Sequence, residues 1–309
     1  MPKSRIALAI FIAILAVSTA SIFIKFAQKD APSLVIAAVR LTLASLILLP
    51  ATFHSADNRA QLKSLTRADW KLAILSGLFL SVHFAAWISS LEYTTVVASV
   101  ALVSTGPLWV ALLSPLFLRE FPSRWVWIGM FLALMGGIIV GLSDSCTLTG
   151  PHLACPPLSD LMAGSAFLGN GLALLGALTV AGYLMIGRRL RAKIDLVPYV
   201  FIIYSVAAIA LIIYMLVARQ TPFGYPKSTY LWILALALIP QLIGHSTYNW
   251  ALRYLPASMV SVTTLAEPVG AAVLAFIFLR ETPNLGVLLG GILILVGVYF
   301  SMRTSGDQT

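Results

Sequence analysis

"YTTVVASVALVSTGPLWVALLSPLFLREFPSRWVWIG" (residues 93–129) and "YLPASMVSVTTLAEPVGAAVLAFIFLRETPNLGVLLG" (residues 254–290) come into register when the chain is shifted by 161 positions. Both stretches carry a proline at the same place, Pro107 and Pro268, and both continue into Phe-Leu-Arg-Glu and a further proline. Apolar identities are common between apolar segments, but a charged string in register with an upstream proline is not. The match therefore predicts a chain built from two copies of one unit.

The chain is far more apolar than a soluble protein. Of its 309 residues, 60% are hydrophobic and 10% are charged, whereas soluble domains are about half apolar and a quarter charged. Several apolar stretches approach or exceed the roughly 20 residues that a helix needs to cross a bilayer. We predict an all-α integral membrane fold with ten transmembrane helices, at residues 6–27, 33–52, 70–90, 95–118, 125–142, 165–186, 197–217, 230–251, 257–279 and 285–302.

The distribution of Lys and Arg predicts the orientation of these spans. With the N-terminus in the cytoplasm, 14 of the 20 basic residues fall on the cytoplasmic side, 4 fall outside and 2 lie within helices. The positive-inside rule then places both termini in the cytoplasm. The basic residues are spread between apolar runs, so the net charge of +9 is attributed to membrane orientation and no nucleic-acid partner is expected. The first run is longer than the core of a signal peptide and is expected to remain as a helix.

The repeat covers predicted helices four and five against nine and ten, so the unit is five helices. An odd number of spans forces the second copy to lie inverted in the membrane, which is typical of secondary transporters. We predict two inverted five-helix repeats, residues 1–143 and 165–303, joined by an external loop at residues 144–164. That loop contains Cys146 and Cys155, and an oxidising exterior would allow a disulfide between them, with two free thiols as the alternative.

Several motifs together carry a family resemblance. They are "SIFIKFAQKDAPSLVIAAVR" (residues 21–40), the two Phe-Leu-Arg-Glu strings and the Glu267-Pro268 pair. With them, the chain resembles a ten-helix, EamA-type member of the drug/metabolite transporter (DMT) superfamily over about residues 6–302. The resemblance implies an exporter of small metabolites, amino acids or drugs in the bacterial inner membrane, and it names no substrate.

Glu267 is the most informative polar residue, because it lies near the middle of a predicted span. An ionised acid at that depth costs at least roughly 2.5–3.5 kcal/mol, so it should face the bundle interior. Pro268 lacks an N–H and disrupts the helix beside it, and it is a predicted hinge together with Pro107. Two interpretations remain: Glu267 couples transport to a proton or to a cationic group, or it only joins helices. Its repeat partner, Gly106, cannot share the first role.

Polar and aromatic side chains form stripes on two other helices. His83 and Trp87 share a face of helix three, while His245, Tyr248 and Asn249 share a face of helix eight. The histidines could relay protons or serve as hydrogen-bonding groups between helices. Arg40 could bind an anionic group or set helix orientation. The predicted substrate cavity is lined by Arg40, His83, Trp87, Trp109, Tyr183, His245, Tyr248, Asn249 and Glu267.

These observations predict a secondary active transporter that works by alternating access, with proton coupling as a hypothesis. No hydrolase, metalloprotease or nucleotide-binding motif was found, so no catalytic residues, metal or cofactor are expected. A channel or facilitator and an intramembrane enzyme are the alternatives. The expected partners are a small-molecule substrate, the lipid bilayer and protons, and the chain could act as a monomer or a homodimer. An aromatic amino acid, a nucleobase and an organic cation fit the aromatic stripes about equally.

Overall fold

The computed structural model describes residues 3–94, 96–143, 147–149, 152–154, 165–279 and 285–303, and nearly all of them are helical. In chain order the α-helices are α1 (Lys3–Ser18), α2 (Ala20–Ala27), α3 (Ser33–His54), α4 (Ala56–Ser64), α5 (Arg67–Tyr93), α6 (Val96–Val103), α7 (Gly106–Phe117), α8 (Arg124–Ser143), α9 (Ser165–Arg191), α10 (Leu196–Val217), α11 (Lys227–Leu236), α12 (Ser246–Ala251), α13 (Ala257–Thr263), α14 (Glu267–Leu279) and α15 (Leu285–Arg303). A π-helix (Ala237–His245) joins α11 to α12, and a 3₁₀ turn (Thr264–Ala266) joins α13 to α14.

The structure contains helical segments that are long and apolar enough to cross a membrane, which confirms a multi-pass helical membrane protein. Among the described residues they are Ser4–Ala27, Ser33–His54, Arg67–Tyr93, Phe167–Arg191, Leu196–Val217, Lys227–Ala251 and Ala257–Phe278. Shorter apolar helices occur at Gly106–Phe117, Arg124–Ile139 and Leu288–Phe300. These segments fall at the positions predicted from the sequence, and large apolar side chains on their outer faces are exposed, as lipid-facing residues would be.

Four stretches predicted as single helices are interrupted. The break between α6 and α7 falls at Ser104 and Thr105, and the break between α13 and α14 falls at Thr264–Ala266. Pro107 and Pro268 are the second residues of the helices that follow these breaks. A proline within a continuous helix would remove one hydrogen bond and clash with the preceding turn, which explains why the helices are interrupted there. The other two interruptions are at Thr19, between α1 and α2, and at the π-helix, which contains Pro240.

Two glycine contacts bring helices α8 and α15 backbone to backbone. A Cβ on Gly136 would lie 2.4 Å from the carbonyl oxygen of Gly290, and a Cβ on Gly297 would lie 2.4 Å from the carbonyl oxygen of Gly129. Small residues allow such close approach of membrane helices. Adding 161 to 129 and 136 gives 290 and 297, so each contact is the image of the other under the shift that aligns the sequence repeat.

The remaining helices pack around an apolar core. Helix α5 lies along α9, α3 lies along α10, and the π-helix lies along α1. The largest buried cluster includes Ile24, Leu41, Leu80 and Phe84 and draws on α2, α3 and α5. Residues of α5, α9 and the π-helix line one cavity, so polar side chains of these elements are brought together.

One connection on the predicted cytoplasmic side is held by a reciprocal pair of hydrogen bonds. Gln61 Nε2 donates to Asp195 Oδ2, and the Asp195 backbone N–H donates to Gln61 Oε1, both at 2.7 Å, while Arg253 donates to Asp195 Oδ1. The bonds from Gln61 and Arg253 lower the pKa of the Asp195 carboxyl. The stabilisation they provide is present above the usual aspartate pKa and is lost as the pH falls through the lowered value.

The loop between the two predicted repeats contains a short hairpin. Strand β1 (Thr147–Thr149) pairs antiparallel with β2 (His152–Ala154), and Thr147 pairs with Ala154. Cys146 and Cys155 lie outside the described residues, so their disulfide stays a prediction.

Candidate functional site

A small, partly open cavity of about 50 Å³ lies where the two helix breaks meet. Helix α5 contributes His83 and Trp87, and α9 contributes Tyr183. Its full lining is Val17, His83, Trp87, Val103, Ser104, Gly106, Pro107, Val180, Tyr183, Leu184, His245, Tyr248, Ser261, Thr264 and Glu267. Irregular backbone at membrane depth is tolerated where it is buried in protein or lines a cavity, and both breaks satisfy that condition.

Glu267 is the first residue of α14 and lines this cavity. The adjoining backbone is packed tightly against α1, since Ser18 Oγ donates to Ile14 O at 2.8 Å and approaches Glu267 O at 3.4 Å. A Cβ on Gly270 would lie 2.1 Å from Ser18 Oγ. Tyr248 is near enough to interact electrostatically with Glu267. The carboxyl group of Glu267, at the start of α14, therefore faces the cavity, while the backbone of Glu267 is held against α1.

The side chains of His83 and His245, which were predicted on two different helices, lie close together. Their ring centroids are 6.4 Å apart, and the ring of Trp87 stacks on His83 at 5.9 Å. His83 Nδ1 lies 2.9 Å from the carbonyl oxygen of Gly176, so Nδ1 must carry a proton and donate it. That assignment leaves Nε2 of His83 as the ring nitrogen that can exchange a proton.

Asn249 lies behind the cavity wall. Its Nδ2 donates to Tyr183 Oη and to the carbonyl oxygen of His245, the latter at 2.7 Å. The backbone carbonyl oxygen of Asn249 accepts a hydrogen bond from Arg191 Nε at 3.1 Å. Asn249 thus holds two cavity-lining residues in position and is not itself part of the lining.

Arg40 also lies outside the cavity lining and is fully buried. Its guanidinium carbon is 4.3 Å from the ring centroid of Phe84, whose ring also contacts His83 at 4.9 Å and His245 at 5.2 Å. Nε, Nη1 and Nη2 of Arg40 have no hydrogen-bond partner among the described residues. Arg40 and Glu267 attract each other electrostatically but form no ion pair.

Trp109, the last of the predicted cavity residues, lies on α7 and is half-buried. Its indole nitrogen has no hydrogen-bond partner in the described part of the chain, and the residue is not part of the cavity lining. The structure therefore brings six of the nine predicted residues together around the cavity and places Arg40, Trp109 and Asn249 outside its wall.

Three residues near the site were absent from the predicted set. Phe84 joins Arg40 to the histidines, and Tyr204 Oη lies 3.1 Å from Ser246 Oγ and 3.4 Å from the carbonyl oxygen of Gln241. The side chain of Gln241 is fully buried with neither amide atom bonded. Gln241 lies in the predicted span 230–251 on the same polar face as His245, and this position was the available signal. Phe84 and Tyr204 stand in apolar runs and gave none.

A second polar cluster joins the ends of four helices on the predicted cytoplasmic side. Glu120, from the first Phe-Leu-Arg-Glu string, accepts from Arg188 Nε at 2.7 Å and from the backbone N–H of Ala257 at 3.3 Å. Arg188 Nη1 also donates to the carbonyl oxygen of Leu252 at 2.7 Å. The corresponding residues of the second string, Arg280 and Glu281, lie outside the described residues.

Comparison with known proteins agrees with this architecture. The profile of the EamA-like transporter family matches residues 4–142 and again residues 167–303. An uncharacterized transporter of Archaeoglobus fulgidus is 23% identical over 91% of this chain and 91% of its own length. A WAT1-related protein of Arabidopsis thaliana, At5g40210, is 25% identical over 88% of this chain and 80% of its own length. A solved crystal structure that covers 98% of both chains superposes with a TM-score of 0.75 at 18% identity, a likeness of fold.

Proposed function

Since the chain belongs to the EamA-like transporter family, we propose that it is a secondary active transporter that exports small metabolites across a bacterial inner membrane by alternating access. Amino acids and drug-like amphipathic compounds are the proposed substrates. The observation that carries the proposal is the polar, aromatic cavity at which two proline-flanked helix breaks meet. Such a cavity between broken helices is typical of secondary transporters.

The proposed architecture is ten spans in two inverted repeats, with both termini in the cytoplasm. Three observations support it. The breaks at Ser104–Thr105 and Thr264–Ala266 overlap under the 161-residue shift, the Gly136 and Gly297 contacts are images of each other, and the family profile matches each half separately. Two related halves that meet at a central cavity can rock against each other around it.

Export of a metabolite requires this conformation to open. The cavity volume of about 50 Å³ is room for one or two water molecules, each of which takes roughly 30 Å³ in the liquid. An amino acid needs several times that space. The described conformation is therefore interpreted as too narrow at the site to hold the substrate. On the cytoplasmic side, the bonds of Glu120 to Arg188 and Ala257 join the first half of the chain to the second.

Removal of this connection is expected to favour opening towards the cytoplasm. In Glu120→Gln, the ion pair with Arg188 is lost while the side-chain shape is kept. We expect a thiol introduced at Ser261, which lines the cavity, to react several-fold faster with an impermeant reagent in inside-out vesicles. Both natural cysteines would first be replaced.

Arg253→Gln is the matched control, because it removes a cytoplasmic ion pair that lies within one half of the chain. Equal labelling of all three proteins would mean that Glu120 does not hold the cytoplasmic side closed.

The function itself is tested by mass spectrometry of the medium around bacteria that express the protein, beside cells with an empty vector. We expect one or a few small metabolites to accumulate outside only the expressing cells. Efflux that saturates with internal concentration would support a transporter over a channel. Unchanged media across growth conditions, with the protein present in the membrane, would contradict export.

A further inference from the structure

We propose that Arg40, with Gln241 beside Tyr204, forms a buried binding site for a small monoanion, either the carboxylate of the transported compound or a free halide. The proposal rests on the proposed function only for the first of these two sources. The residues of this site lie outside the cavity wall, and Gln241 and Tyr204 were not among the residues predicted to line the cavity.

Arg40 is the first residue that points to an anion site. Its guanidinium group is fully buried, and none of its three nitrogens has an acceptor among the described residues. The other buried arginine among the described residues is different: Arg191 donates to the backbone carbonyl oxygens of Asn249 and Ile194. A planar group with five N–H donors is suited to a carboxylate or another anion. The donors of Arg40 are available to bind one, whereas Arg191 already donates to backbone carbonyl oxygens.

Gln241 supplies a second, independent observation. It lies in the π-helix, its side chain is fully buried, and both its amide nitrogen and its amide oxygen are unbonded. Tyr204 lies near both residues, because its hydroxyl donates to the backbone carbonyl oxygen of Gln241 at 3.4 Å and it interacts electrostatically with Arg40. The unbonded groups are the guanidinium N–H groups of Arg40 and the amide group of Gln241, a set rich in donors that favours an anion over a cation.

Phe84 determines how an anion would arrive. Its ring lies 4.3 Å from the guanidinium carbon of Arg40 and 5.2 Å from the ring of His245, which lines the cavity. The stacked ring satisfies part of the charge of Arg40 without using its N–H groups. Phe84 thus contacts both Arg40 and a residue of the cavity wall, so an anion that reaches Arg40 from the cavity would pass these rings.

The charges around Arg40 make anion binding depend on Glu267. The ionisable groups that interact with Arg40 are Glu267, Tyr204, His83 and His245. Of these, only Glu267 can carry the opposite charge at neutral pH, and it makes no ion pair with Arg40. When Glu267 is ionised it competes with an anion for Arg40, so its neutralisation should tighten the binding of an anion. By linkage, the anion should equally favour the neutral form of Glu267.

The test measures binding without transport. The thermal unfolding midpoint of the full-length protein in lipid nanodiscs is followed at constant ionic strength, with gluconate replaced by chloride or bromide. A second arm titrates acetate and neutral amino acids. A ligand that binds only the folded protein raises the midpoint progressively with concentration. We expect wild type to respond to at least one arm, Arg40→Gln to bind roughly 10- to 100-fold more weakly, and Glu267→Gln to bind more tightly.

Arg253→Gln removes an exposed positive charge and serves as the control for a general effect of salt. Gln241→Leu keeps Arg40 and should weaken binding less than Arg40→Gln does. A halide response alone would identify a free inorganic anion, and a carboxylate response alone would identify the substrate's own group. No response in wild type, or an equal response in Arg40→Gln, would overturn the proposal. Export of a metabolite could still be observed in that case, so failure here is distinct from failure of the proposed function.

Discussion

Glu267→Gln is expected to lower efflux at least about tenfold and to abolish the dependence of efflux on external pH. Glutamine keeps the size of the side chain and part of its hydrogen bonding, but it can neither take up nor release a proton. Glu267 lines the cavity at the start of α14, and its backbone is packed against α1, so the substitution should leave the local packing unchanged. A tenfold effect corresponds to about 1.4 kcal/mol in the transport barrier. Efflux of the metabolite found in the medium would be followed from preloaded cells over a range of external pH.

Asp57→Asn is the matched control, since it neutralises an exposed acid in α4 far from the cavity. It should export at the wild-type rate with the wild-type pH profile. If Glu267→Gln also kept that rate and profile at equal abundance, the coupling role would be wrong, and Glu267 would serve only to join α14 to its neighbours. The two interpretations left open by the sequence would then be resolved in favour of the second.

Gly136→Ala is expected to lower the thermal unfolding midpoint by several degrees. Its new methyl group would lie 2.4 Å from the carbonyl oxygen of Gly290, so α8 and α15 would have to move apart. Overpacking of this kind typically costs 1–3 kcal/mol. The adjacent substitution, Gly137→Ala, is a close control, because nothing lies within 4 Å of its Cβ position. It should leave the midpoint unchanged or raise it slightly, since alanine favours a helix over glycine.

Gly297→Ala extends this test to the proposed repeat. Its methyl group would lie 2.4 Å from the carbonyl oxygen of Gly129, the image of the first contact. Equal losses in Gly136→Ala and Gly297→Ala would support the two-fold relation between the halves. Equal midpoints for Gly136→Ala and Gly137→Ala would contradict direct backbone contact between α8 and α15.

The positions of the spans could be predicted from the sequence, but the interruptions within them could not be placed. Hydropathy located the segments around residues 95–118 and 257–279, because the need for about 20 apolar residues is a property of the chain itself. Pro107 and Pro268 indicated disturbed helices. Nothing in the apolar pattern indicated the π-helix at Ala237–His245, because a change of hydrogen-bond register leaves composition and length unchanged.

Helical periodicity indicated which of the predicted site residues lie near one another. Residues that share one helical face, such as His83 with Trp87 and His245 with Tyr248, follow from the 3.6-residue period and were found around one cavity. Arg40 and Asn249 were also predicted there, and the structure places them behind the wall. Helical periodicity indicates which face a residue occupies, whereas its distance from a cavity depends on the neighbouring helices.

The sequence by itself determined that this chain is a multi-pass helical membrane protein of the EamA-like family, because apolar length, loop charge and the repeated motifs are local properties. Only the tertiary structure decided that Phe84 lies between Arg40 and the histidines, and that Glu120 joins the two halves through Arg188. These contacts connect residues 40 with 84 and 120 with 188, and they depend on how separate helices pack. The shape of that packing is set by side chains acting together, so no single segment of the sequence contains it.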